Sequence, residues 1–286
     1  MMAIPIINDW KKYFEQPHEG LGSSYERIVL NELLAGFARE HGASTVLETP
    51  SFGFTGVSGI NLLGLADMGL QATLEDDDPV RLELVKALWA DLGRTLDARL
   101  NQGFLRLDYS ENAFDMSFSF SALWFAGDLR NFLSELARVT QKVIVLSVPN
   151  RDGFGYKMQV KDYSPERYPD LRIGNIDPPS IIRILADAGW RLKDSGYFDC
   201  PPWPDIGMAK EDLLGKWFPR CPICRRMKCR AKPEAKPVTI LDYYSGKDPD
   251  FACRMLRFGW LERIAPKAFK RIWAHHYYMA FCPEQA

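Results

Sequence analysis

Strand-like and helix-like segments alternate from Thr45 to Phe198, and this rhythm limits what the chain can fold into more than any single residue does. Residues 24–39 place Ile28, Val29, Leu33, Leu34 and Phe37 at helical spacing, with Ser23 or Ser24 able to cap the start. Thr45, Val46 and Leu47 read as a short strand. A glycine-bearing loop follows, then a helix over about residues 60–68 stopped by Gly69. A second strand covers residues 71–74 and a helix residues 80–92. Residues 104–107 read as a short strand and 114–120 as a fuller one, followed by an amphipathic helix over 129–139. Residues 143–148 are almost all aliphatic and β-branched, as expected of a strand buried on both faces. A helix over 180–188 ends at Gly189, strands cover 191–198 and 275–281, and residues 251–273 pattern as helix between them. Such alternation predicts an α/β fold, a doubly wound parallel sheet with helices on both faces.

The divisions read from texture are an N-terminal helical cap over residues 1–40, a sheet-bearing core over 41–200, a Pro-rich, basic, Cys-containing insertion over 201–250, and 251–286 completing the core. Lys plus Arg number 36 against 37 Asp plus Glu, a balance that argues against a nucleic-acid-binding protein. No segment approaches the ~18 apolar residues of a membrane span, and residues 1–10 lack the pattern of a secretory signal. Six cysteines are too sparse for a disulfide scaffold, so reduced thiols in a cytoplasm are expected.

Ligands of open α/β sheets bind beyond the carboxyl ends of the strands. There, after the first strand, lies Glu48-Thr49-Pro50-Ser51-Phe52-Gly53-Phe54-Thr55-Gly56-Val57-Ser58-Gly59. Its glycines let backbone approach a ligand, and the next helix start offers free N–H groups. Glu75 and Asp76 end the second strand, where a carboxylate can accept two hydrogen bonds from a ribose diol.

These stretches, VLETPSFGFTGVSG, ATLEDDDP, LDYSENAFDMSFSFSALWF and LRNFLSELARVTQKVIVLSVPNR, with AHHYYMAF near the end, resemble a class I S-adenosylmethionine-dependent methyltransferase of the small-molecule, type 11 kind. The resemblance implies a Rossmann-like sheet with a final antiparallel strand, and S-adenosylmethionine as cofactor. It implies that Glu48 helps hold the cofactor's ammonium group and that backbone at Gly53, Gly56 and Gly59 lines it. Asp76 or Glu75 would hold the ribose, Asn101 or Gln102 the adenine, and Ser119 and Phe120 would flank the methionine moiety. One departure is plain: Pro50 stands where the family has its first loop glycine, and the loop is longer.

Trp124 and Phe125 follow the fourth strand, where acceptor enters, and are read as a substrate wall. His18 and Glu19, followed by Tyr25 and Glu26, lie in the cap, and one of them is read as a candidate general base, His18 and Tyr25 being the two kept. Cys221, Cys224 and Cys229 have short spacing suited to zinc, with Cys200, Cys253 or a histidine as a fourth ligand; reduced or reactive thiols among arginines are the other readings. His275 and His276 are read as packing and hydrogen-bonding residues rather than metal ligands. The expected activity is methyl transfer to a small-molecule acceptor. A degenerate, non-catalytic binding module is an alternative. A peripheral enzyme acting on a lipid or quinone at a membrane surface is another, suggested by basic residues around Trp260 and Phe269.

Overall fold

The computed structural model describes residues 10–18, 20–51, 56–160, 163–166, 168–203 and 239–284. Seven strands form one sheet, β1 Thr45–Glu48, β2 Gln71–Asp76, β3 Asp97–Leu100, β4 Phe114–Phe120, β5 Thr140–Pro149, β6 Trp190–Phe198 and β7 His276–Pro283. Their order is β3-β2-β1-β4-β5-β7-β6, with β7 antiparallel to both of its neighbours. The other pairings are parallel. The chain winds outward from β1 to β3 and returns to β4, so the carboxyl ends of β1 and β4 flank the crevice where such sheets take ligands.

The helices are α1 Lys11–Glu15, α2 Gly20–Glu40, α3 Leu63–Asp67, α4 Pro79–Asp91, α5 Leu129–Val139, α6 Phe154–Gln159, α7 Pro178–Asp187, α8 Leu241–Tyr244, α9 Phe251–Leu256, α10 Trp260–Ile264 and α11 Lys267–Trp273. Local chemistry sets several starts. Asp78 caps α4 by accepting from the amides of Val80 and Arg81 at 2.8 and 3.1 Å, with Pro79 in the first turn. Asp128 caps α5 and Asp177 caps α7 in the same way. β4 is buried at every position, with Met116 and Phe118 between the helical layers.

Three expectations shift. α2 begins at Gly20, so Ser23 and Ser24 lie inside the helix and cap nothing. Residues 56–62 form turns, because Gly56 and Gly59 both sit at φ +72°, and α3 starts only at Leu63. Residues 104–107 are not a strand. Phe104 (φ +51°) and Leu107 are loop residues anchored in the core, while the third strand is the polar edge segment Asp97–Leu100. No helix among the described residues is long and apolar enough to cross a membrane.

Candidate cofactor and acceptor site

At the end of β1, Glu48 is 1% exposed. Asn61 donates its amide to Glu48 Oε1 at 2.7 Å, while Oε2 has no partner among the described residues. Burial pushes this carboxyl up to about 8, against the pull of the Asn61 hydrogen bond and the Arg27 guanidinium. Arg27, buried on α2, donates to the Val57 carbonyl at 2.9 Å and to the Asn61 side chain. The loop is stitched to both flanking strands, with Thr49 N–H donating to the Phe118 carbonyl and Ser51 N–H to that of Glu75, each at 3.1 Å. The Thr49–Pro50 peptide is cis. A Cβ on Gly59 would stand 2.5 Å from Val85 Cγ1, so this glycine lets the loop pack on α4, and its carbonyl accepts from Trp89 Nε1 at 2.8 Å. That is a packing role where cofactor lining was expected. Gly53 lies outside the described residues.

At the end of β2, Asp76 is 1% exposed and fully engaged. Its Oδ1 accepts from Arg81 Nη2 at 2.6 Å and Asp78 N–H at 2.8 Å; its Oδ2 accepts from Arg81 Nε at 2.8 Å and Ser51 Oγ at 3.3 Å. This is a bidentate buried ion pair. Glu75 accepts from Thr49 Oγ1 at 2.9 Å and Asn101 Nδ2 at 3.0 Å, and burial raises its pKa despite them. Asn101 also donates to the Arg106 carbonyl, and Gln102 is exposed. The next acid, Asp77, is exposed, although it too accepts from Arg81 Nη2 at 2.7 Å. It borders a cavity of about 640 Å³ together with Trp10, Arg81, Gly103, Phe125 and Arg172. The Arg81 guanidinium lies 5.3 Å from the centre of the Trp10 ring.

Beyond β4, Ser119 and Phe120 are buried, and Ser119 Oγ has no partner among the described residues. Phe120 packs on the His276 ring at 4.9 Å. Ser121 (φ +50°) places its Oγ 2.9 Å from His276 Nδ1. Trp124 is buried and donates to the Ser121 carbonyl at 2.6 Å, so it supports the strand end from beneath; Phe125 alone of the pair borders the cavity. Tyr25 is buried and donates to Glu262 at 3.2 Å, and burial with nearby carboxylates drives its phenol far above neutrality. Glu262 is itself raised to about 7 by burial. His18 is exposed. Cys221, Cys224 and Cys229 lie outside the described residues. Cys200 is buried, with its thiol pushed up to about 12 by desolvation, which makes it inert.

Arg27, Asn61, Arg81 and Asp77 were missed in the sequence. Arg27 left a signal, a charge next to Glu26 directly before the apolar run from Ile28 to Leu30. Asp77 left none that separates it from its acidic neighbours.

Residues 54–144 match a protein-family model described as a methyltransferase domain. Over that stretch the chain is similar to methyltransferase domains. Among solved structures, YcgJ from Bacillus subtilis is 11% identical, with 90% of this chain and 99% of that one covered and a TM-score of 0.51. A methyltransferase-like protein from Bacillus halodurans C-125 is 13% identical, with coverage of 88% and 99% and a TM-score of 0.50. Geranyl diphosphate C-methyltransferase from Streptomyces coelicolor A3(2), solved with Mg2+, geranyl-S-thiolodiphosphate and S-adenosyl-L-homocysteine, is 12% identical, with coverage of 88% and 76% and a TM-score of 0.50. At such identities the likeness is one of fold. No curated protein matches the sequence.

Proposed function

We propose that this chain binds S-adenosylmethionine across the carboxyl ends of β1 and β2 and methylates a small-molecule acceptor. The observation that carries the reading is Glu48, a buried carboxyl with one oxygen lacking any partner among the described residues, raised to about 8 because burial outweighs the pull of Asn61 and Arg27. A ligand ammonium would satisfy that oxygen and return the group to its charged form. Arg27, close enough to act on Glu48, offers the matching cation for a ligand carboxylate. Together they suit an amino-acid zwitterion. Asp77 and Phe125, on the 640 Å³ cavity that Trp10 and Arg172 also border, are assigned to the adenosyl side. When bound, the cofactor supplies an electrophilic methyl group on a sulfonium. The protein's part is orientation and exclusion of water, by Ser119, Phe120 and the buried strand end above Trp124. Tyr25, held protonated, serves as a hydrogen-bond donor and not as a base.

One observation favours a second reading, a binding module without cofactor: Asp76, at the strand end where the ribose was expected, is saturated by Arg81. Thermal shift separates the two. Under the first reading, S-adenosylhomocysteine at millimolar concentration raises Tm, and Asp77→Asn reduces the rise. Under the second, neither S-adenosylmethionine nor its demethylated product moves Tm in the wild type or in Arg81→Gln.

A further inference from the structure

Three buried side chains converge where the cap meets the far side of the sheet. Glu26 comes from α2, Asp199 follows β6 and His276 opens β7. Their exposures are 0%, 1% and 1%. His276 Nε2 lies 3.1 Å from Glu26 Oε2 and 3.8 Å from Asp199 Oδ2, and one ligand atom from each residue lies within 4.8 Å of the other two. Metal–ligand bonds of about 2.0–2.2 Å in a tetrahedral site put neighbouring ligand atoms roughly 3.3 Å apart. The two distances from His276 Nε2, 3.1 and 3.8 Å, bracket that spacing, and the carboxylates need only close around the ion.

Two further observations point the same way. His276 Nδ1 lies 2.9 Å from Ser121 Oγ, a contact that fixes the ring with Nε2 facing Glu26; a bound cation would take the place of the Nε2 proton, leaving Nδ1–H to donate to the hydroxyl. Asp199 Oδ1 is buried without a partner among the described residues, although Oδ2 of the same carboxylate meets His275 Nδ1 at 2.7 Å. The charge also balances, since two carboxylates and one neutral imidazole offset a divalent cation.

We propose that Glu26, Asp199 and His276 bind a divalent cation of borderline softness, of the zinc class, with a fourth position open to water or an acceptor oxygen. It would staple α2 to the β6–β7 edge. This site is independent of the cofactor reading, which its test does not use.

The test takes the full-length chain, stripped with chelator and dialysed. Titration with ZnCl2 should show one equivalent bound, a Tm rise on the order of 5 °C, and, with CoCl2, visible absorption bands of a low-symmetry site. Glu26→Gln and Asp199→Asn should each weaken uptake by about tenfold or more, and Ser121→Ala, the variant least disturbing to packing, by about tenfold through loss of ring orientation. Absence of uptake by the wild type overturns the proposal. So does uptake that survives Glu26→Gln, Asp199→Asn and Ser121→Ala but vanishes when Cys221, Cys224 and Cys229 are changed to Ser, which would place the metal on the thiols.

Discussion

The ends of β1 and β2 carry the same kind of residue in opposite electrostatic states. Glu48 is buried with one oxygen unengaged and its carboxyl raised to about 8, whereas Asp76, equally buried, is gripped at both oxygens by Arg81. A carboxylate at the ligand edge of such a sheet is thus not a binding residue by position alone. What matters is whether the protein has already given it a cation. On the proposed reading the β1 end receives a ligand's cation, whereas the β2 end keeps Arg81.

Breaking the closed pair should have the largest effect. Arg81→Gln leaves a buried, uncompensated Asp76 and should cost about 3–5 kcal/mol in chemical denaturation; a loss confined to ligand binding, with stability unchanged, would erase the contrast. Gly59→Ala tests whether the loop glycine serves packing. The clash with Val85 at 2.5 Å and the positive φ predict a loss of about 1–3 kcal/mol without any ligand present. The pH dependence sharpens the β1 side. Glu48 titrates at an ordinary 4.5 when unfolded and at about 8 when folded, so between those values the folded chain binds more protons and stability falls as pH rises. Glu48→Gln should flatten that slope in urea melts from pH 5 to 8, leaving the smaller part due to Glu262. The smallest effect concerns neither strand end. Trp260, Ile264, Phe269 and Ile272 are exposed on α10 and α11 beside Lys267 and Arg271. Weak cosedimentation with anionic vesicles that disappears in high salt is expected if the membrane alternative holds.

The fold was largely legible because its central strands are buried on both faces and read as continuous apolar runs, β4 and β5 above all. β3 was misplaced for the converse reason. It is a short edge strand of polar residues, while the apolar Phe104 and Leu107 mark a loop tucked into the core. The placement of Glu48 at the buried end of β1 was legible from its position after an apolar strand. The roles of Asp76 and Asp77 were not, because they depend on Arg81 reaching back from the first turn of α4. Nor did a glycine at position 59 announce whether its missing side chain made room for a ligand or for Val85. Glu26, Asp199 and His276 are too far apart in sequence for any spacing to join them.

The claim that Glu48 awaits a cationic ligand is tested most directly by calorimetric titration of S-adenosylhomocysteine, whose amino-acid end keeps the ammonium, at pH 7 in two buffers of different ionisation heat. Micromolar binding with release of about one proton, both lost in Glu48→Gln, is the predicted result. Silence at millimolar ligand, or binding without proton release that Glu48→Gln leaves unchanged, would contradict it.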